Sequence, residues 1–271
     1  MQNLPWLYQR RSASMVHQLE LPSSYLNYNG IMRKPIIIAN WKMNFLRDQA
    51  NLYVKKLIKK LGNKENIEVG IASQDLFLTD LIKLTENTPI SIVAQNAHWE
   101  NFGPFTGETS PKALANVGVD YVMLGHFERR ELFNETNSTV NLKVRTALNN
   151  GMDVIVDVEE LEQVAPVLEG VSEEQMQQII IGFEPTFAIG TGMSASTKGA
   201  EDVAEQIRKT VRKLYGSDVA DSTRILYGGS VNRDNLKSLI KQKDIDGVLV
   251  GKAALDFQSF WELVEIIENS L

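Results

Sequence analysis

Cysteine is absent from the chain, which excludes a disulfide, a thiolate zinc site and a cysteine-ligated iron–sulfur cluster. The absence fits a reducing compartment, and the expected location is cytoplasmic. No apolar run approaches the roughly 20 residues of a membrane-spanning helix. Positive charge is not in excess: 28 Lys and Arg stand against 34 Asp and Glu, a net charge of −6. That balance gives no electrostatic case for nucleic acid or an anionic membrane as partner, and an anionic substrate would need positive groups gathered locally. Histidine occurs three times, at His17, His98 and His126. A glycine fingerprint of the dinucleotide-binding kind is missing after the first strand, where the chain reads Asn40-Trp-Lys-Met-Asn44.

What is present suits one soluble domain: 271 residues, 43% of them hydrophobic, enough to bury a sizeable core. Residues 1–31 differ from the rest, with Arg10-Arg11, several Ser and Asn, and no strong period. Three readings of this stretch stand side by side: a non-native leader or over-extended start, a targeting peptide, and a functional arm. We expect it to be unordered and place the folded domain at residues 32–271.

From Met32 onward short apolar runs alternate with helical patterns. The runs are Pro35–Asn40, Val69–Ala72, Ser91–Ala94, Tyr121–Leu124, Val154–Val156, Ile179–Ile181, Arg224–Tyr227 and Gly247–Val250. Ala50, Val54, Leu57, Ile58 and Leu61 mark one face of a helix after the first, Val203, Ile207, Val211 and Leu214 one after the sixth, and the last helix spans about Phe257 to Glu268. Strands apolar throughout are buried on both faces, and alternation with helices implies a parallel sheet. Eight repeats predict an α/β fold, a closed (β/α)8 barrel of eight parallel strands, over the alternative of a doubly wound open sheet.

Active sites of such barrels sit at the C-terminal ends of the strands, so the polar residues found there matter most. Strand one ends in Asn40 and Lys42, strand four in Gly125-His126, strand six in Glu184, strand seven in Gly228-Gly229-Ser230, and strand eight in Gly251-Lys252. Each has a bland reading: a surface lysine, a structural histidine, an incidental acid, ordinary turns. Together they fit one reaction. Glu184 on a rigid strand end, enclosed by apolar surface, suits a general base. Residues Gly125 to Glu131 read as the opening of a short helix, whose dipole disfavours a charged His126 and leaves a neutral hydrogen-bond donor. The small residues at the last two strands open helices that let a phosphate approach backbone N–H groups. Pro185 followed by Gly190 and Gly192 gives a segment with a stiff start and a flexible finish, suited to a lid that excludes water. The chemistry is an aldose–ketose isomerisation through an enediol, with no metal and no organic cofactor.

The chain resembles the triosephosphate isomerase family over nearly all of Met32 to Leu271. The resemblance rests on Ala39-Asn-Trp-Lys-Met-Asn44, Ala94-Gln-Asn96, Phe105-Thr-Gly-Glu108, Leu124-Gly-His126 with Glu128-Arg-Arg130, Phe183-Glu-Pro185, Ala188-Ile-Gly-Thr-Gly192, Tyr227-Gly-Gly-Ser-Val231 and Asp246-Gly-Val-Leu-Val-Gly251. It implies Glu184 as base, His126 as electrophile, and Lys42 as electrostatic partner of the phosphate and the developing enediolate. Asn40, Lys42, Gly190, Gly229, Ser230 and Gly251 then bind substrate, a phosphorylated small sugar. Thr186, Phe187, Ala188, Ile189, Gly190, Thr191 and Gly192 fall in the lid. The family is usually homodimeric, which points to Thr106 and Glu108 in a loop inserted into a neighbouring subunit, with Glu108 near Arg129.

Four departures from the family pattern are visible. Phe127 replaces a serine after the histidine and adds bulk beside the base. Asp157-Val-Glu-Glu160 stands where the family has Cys-x-Gly-Glu, and the helix after it is short. Lys252 replaces a glycine, so a positive φ there would be costly, and it adds a cation. Phe187 replaces a tryptophan in the lid. The leading expectation is interconversion of dihydroxyacetone phosphate and D-glyceraldehyde 3-phosphate. The alternatives are isomerisation of a related sugar phosphate such as erythrulose phosphate, and a barrel that binds sugar phosphate without turnover.

Overall fold

The apolar runs become strands because both of their faces meet other apolar surface. In the computed structural model, which describes residues 33–185 and 196–271, the strands are β1 (Ile36–Asn40), β2 (Glu68–Ser73), β3 (Ile90–Ala94), β4 (Tyr121–Leu124), β5 (Asp153–Val158), β6 (Ile179–Phe183), β7 (Arg224–Tyr227) and β8 (Gly247–Val250). All eight are parallel and pair in sequence order, and β8 closes on β1 through Ile36 opposite Gly247 to Ala39 opposite Val250. The doubly wound alternative is thereby excluded.

The helices among the described residues are α1 (Arg47–Leu61), α2 (Asp75–Thr85), α3 (Pro111–Val117), α4 (Phe127–Phe133), α5 (Asn137–Asn149), α6 (Val164–Val167), α7 (Glu173–Met176), α8 (Thr197–Tyr215), α9 (Ser217–Ser222), α10 (Arg233–Ile240) and α11 (Phe257–Glu268). After β5 a 3-10 turn and two four-residue helices, α6 and α7, occupy the place of a full helix, in line with the short helix the sequence predicts. In α8, Leu214 is exposed while Ala200, Ala204, Ile207 and Val211 are buried, so the helix ends beyond the reach of the barrel.

Alternation along each strand splits the core in two. Ile36, Ile38, Ala72, Val93, Met123, Ile155, Ile180, Leu226 and Leu249 fill the barrel interior. Ile37, Ala39, Val69, Val122, Val154, Ile181 and Val248 face the surrounding helices. The same period carries the inward positions up to Asn40, Asp157 and Glu184, which rise at the C-terminal end of the barrel. At the opposite end Glu68 and Arg224 point inward and pair at 2.6 Å, with Tyr121 bonded to both.

Candidate active site

The turn after β1 is held in an unusual conformation. Lys42 has a φ of 52°, in the left-handed region. That costs a side-chain-bearing residue about 1–2 kcal/mol. Two hydrogen bonds of about 1 kcal/mol each offset it. Asn40 Oδ1 accepts the Lys42 N–H at 3.0 Å, and Gln95 Nε2 donates to the Lys42 carbonyl at 2.9 Å and to that of Ala72 at 3.0 Å. Beneath the turn, buried Trp41 packs on Phe45 and Tyr53 with ring centroids 4.5 and 5.0 Å apart, so the backbone has little room to relax. The effect is to aim the Lys42 ammonium across the barrel mouth. Its Nζ lies 2.6 Å from Glu128 Oε1, 5.3 Å from the Phe127 ring centroid, and 4.0 Å from where a Cβ on Gly251 would stand. Both partners of the Lys42–Glu128 pair are about one third exposed, so it contributes only about 0.2–1 kcal/mol and yields readily to a stronger anion.

His126 caps α4, the short helix its sequence context predicts. Its Nδ1 accepts the Glu128 N–H at 3.3 Å, which leaves Nε2 as the nitrogen free to donate into the barrel mouth. Nε2 stands 3.1 Å from Glu184 Oε1. Glu184 follows β6, with its N–H bonded to the Val158 carbonyl at 2.9 Å. Its second oxygen accepts the Phe127 N–H at 3.0 Å. The bulk of Phe127 therefore leaves a backbone contact to the acid intact, and the ring lies against His126 at 4.9 Å. Gly228 is needed here for close approach: a Cβ on it would come within 2.8 Å of Glu184 Cγ. Glu184 and His126 are both almost wholly buried.

Across the mouth, Gly228, Gly229 and Ser230 are half-buried. Asn232 caps α10, and Asn235 Nδ2 holds the Ser230 carbonyl at 2.9 Å, which fixes the turn. Gly251 differs from expectation. It leads into a four-residue 3-10 turn, Lys252–Leu255, not an α-helix, so aligned peptide dipoles add little there. Lys252 also escapes the expected strain: among the described residues only Lys42, Asn87 and Asn134 are non-glycine residues with positive φ. Gly190 and the lid stretch Thr186–Gly192 lie outside the described residues. Thr106 and Glu108 are exposed at the tip of the loop after β3. That loop is preorganised, with His98 stacked on Trp99 and Phe105 and bonded through its backbone N–H to the Thr109 carbonyl at 2.8 Å. Arg129 is bonded within its own chain to Glu135, which also accepts from Lys143 at 2.5 Å. Burial pushes the Glu135 carboxyl up, but Lys143 and Arg129 outweigh it and leave the group below its ordinary value.

One carboxylate, one imidazole and one ammonium thus stand at the ends of β6, β4 and β1. A sequence model of triosephosphate isomerase matches residues 35–267. The chain belongs to the triosephosphate isomerase family. It is 41% identical over 252 residues to the triosephosphate isomerase of Lactiplantibacillus plantarum, covering 88% of this chain and all of that protein. The triosephosphate isomerases of Streptococcus equi subsp. zooepidemicus and Streptococcus agalactiae are each 39% identical, covering 87% of this chain and 99% of theirs.

Within this triosephosphate isomerase framework, two residues carry work that the sequence reading assigned to no one. Gln95 holds the strained Lys42 carbonyl, and Glu128 both pairs with Lys42 and donates its N–H to His126 Nδ1. Both lie inside family segments, Ala94-Gln-Asn96 and Glu128-Arg-Arg130, and that adjacency was the only available signal. A third, Asp157, was visible only as a departure from the pattern; its surroundings are described below.

Proposed function

We propose that the protein interconverts dihydroxyacetone phosphate and D-glyceraldehyde 3-phosphate through an enediol. The observation that carries the reading is the convergence of Glu184, His126 and Lys42 from three separate strands. Glu184 removes a proton from the carbon beside the carbonyl and returns it to the neighbouring carbon. The His126 Nε2–H and the Lys42 ammonium stabilise charge as it develops on oxygen. Lys42 leaves its weak pair with Glu128 for the substrate phosphate, which Gly229, Ser230 and Gly251 receive through N–H and hydroxyl groups. Gly190 and the Thr186–Gly192 stretch complete the same reading as a lid, in accord with the resemblance.

A homodimer belongs to this proposal. Met43, Leu46, Phe102 and Phe105 on the loops after β1 and β3, and Leu76 in the first turn of α2, are exposed apolar side chains, and these segments are tied together by Gln74 Nε2 donating to the Phe45 carbonyl at 3.2 Å and by a Thr109–Asp75 bond. An apolar face of this kind suits burial against a second copy, with Thr106, Glu108 and Arg129 at its margin. We place the enzyme in the cytoplasm on its lack of cysteine. No helix among the described residues is long and apolar enough to cross a membrane.

A coupled assay of the intact protein on triose and tetrose phosphates tests the reading. Turnover of triose phosphate, well above that of erythrulose phosphate, is the expected result. The reverse preference would mark Phe127 and Lys252 as the signature of a different sugar phosphate, and no turnover of either would leave only a binding barrel.

A further inference from the structure

Among the buried acids, one is set apart by what surrounds it. Asp246 accepts hydrogen bonds from Arg33 at 2.6 Å, from Arg208 at 2.9 Å and from the Ile225 N–H at 2.9 Å. Asp244 accepts from Arg208, Glu135 from Lys143 and Arg129, and Glu184 from the Phe127 N–H. Asp157 is fully buried, and neither of its carboxyl oxygens has a hydrogen-bond partner among the described residues. The nearest cation does not serve it. Arg130 gives its N–H groups to the Gly125 carbonyl at 2.7 Å, to Asn137 Oδ1 at 2.8 Å, and at 3.3 Å to the backbone carbonyl of Asp157, not its carboxyl.

The position is also specific. Asp157 pairs across the sheet with Gly182, two residues before Glu184, and any Cβ on Gly182 would stand 2.0 Å from Asp157 Oδ1. The glycine is therefore the room into which this carboxyl fits, one step below the base. Charged groups around it are Glu184 beyond β6, Arg130 on α4 and Glu159 following β5, with Arg130 Nε 3.9 Å from Glu159 Oε1; Gly125 at the end of β4 brings none. A carboxylate without donors in such a place is among the costliest arrangements in a protein, whereas the neutral acid is tolerable.

Building on the isomerase reading, we propose that Asp157 holds its proton at neutral pH and forms with Glu184 a carboxyl pair bearing a single negative charge, carried by Glu184, and that loss of the Asp157 proton sets the upper pH limit of turnover. Burial, reinforced by the Glu184 charge and only partly opposed by Arg130, pushes the Asp157 carboxyl well above its ordinary value. Asp157 is a positioning residue in this scheme: it acts through the charge of Glu184, and once ionised it adds an unbalanced anion beside the base and the anionic substrate.

The sign of the linkage gives a test that does not need catalysis. The folded value is raised, so the contribution of Asp157 to stability is fully present at low pH and is lost as pH rises. Between pH 5 and 7 the folded chain keeps a proton that unfolded Asp, with an ordinary pKa near ~3.9, has released. Reversible denaturation of the intact protein and of Asp157→Asn, at one fixed concentration, should therefore show the ratio of their unfolding constants changing about tenfold per pH unit, the wild type weakening relative to the variant. A ratio independent of pH overturns the proposal. Asp157→Cys, uncharged over this range, should show the same slope and serves if the Asn variant fails to fold. In kcat/KM on triose phosphate, the wild type should fall at high pH along a limb that both variants lack or shift upward; coincident limbs overturn the assigned role. A tenfold slope in a chain that turns over no sugar phosphate supports the proton on Asp157 and refutes the isomerase reading. A flat ratio in an active enzyme does the opposite.

Discussion

The two ends of the barrel hold buried charge in opposite ways. At the N-terminal end, Glu68 takes Arg224 at 2.6 Å, the Tyr121 hydroxyl at 2.6 Å and Ser91 at 3.3 Å, so every oxygen has a donor. At the C-terminal end, Asp157 has none among the described residues, Lys42 stands in a strained backbone conformation, and its ion pair is about one third open to water. The same eight strands deliver both sets of residues. What differs is whether the charges are satisfied within the chain or left available to a ligand, and that difference separates a structural plug from a site poised for chemistry. It also gives the two ends opposite pH responses. Burial raises the Glu68 carboxyl, but the Arg224 cation and the Tyr121 bond outweigh it, so its value lies below the ordinary one. Its stabilisation is present above pH ~4 and is lost as pH falls through the folded value. The contribution of Asp157 runs the other way, lost as pH rises.

Changes at the C-terminal end should reduce rate far more than stability. Glu184→Gln removes the base and should lower kcat by about 10²–10⁴, with folding retained by circular dichroism. Lys42→Met should lower kcat/KM by about 10²–10³ and weaken inorganic phosphate as a competitive inhibitor; unchanged inhibition would detach Lys42 from the phosphate. At the N-terminal end the pattern should invert. Glu68→Gln leaves Arg224 unpaired in a largely buried site and should cost on the order of 2 kcal/mol, a value discounted for the partial exposure of the pair. Its kcat should stay at the wild-type level below the melting range, and its deficit should shrink as pH drops below 4. A comparable loss of kcat would erase the distinction between the two ends. The smallest effect is expected from Phe127→Leu. Removing a ring contact to Lys42 worth about 0.5–1 kcal/mol should change kcat/KM by only about two- to fivefold.

The barrel could be read from its strands because each is buried on both faces, which writes a continuous apolar run instead of an alternating one. Ile36 to Ala39 and Ile179 to Ile181 show this plainly. The placement of Glu184 and His126 side by side at the C-terminal end of the barrel could be read because each directly follows an apolar strand. The site could not be read where it depends on a backbone angle or on a missing partner. Nothing in the side chain of Lys42 announces a positive φ, since that conformation is held by Asn40 at the end of β1 and Gln95 just after β3. Asp157 stood out only as an unexpected residue type, because an acid without donors is a property of its neighbours. The turn after β8 misled for a similar reason: Gly251 followed by Lys252 and two alanines is compatible with an α-helix, and the chain forms a 3-10 turn before Asp256 caps α11.

The central claim is that a single carboxylate, Glu184, carries a proton between adjacent carbons of a phosphorylated sugar. The most direct measurement is proton NMR of dihydroxyacetone phosphate turnover in deuterium oxide, with the wild type and Glu184→Gln side by side. The account predicts that the wild type introduces deuterium at the carbon bonded to the exchanging proton, and that the variant leaves that carbon–hydrogen bond intact over the same period. Turnover by the wild type with no deuterium entering carbon, or wash-in by Glu184→Gln at the wild-type rate, would contradict it.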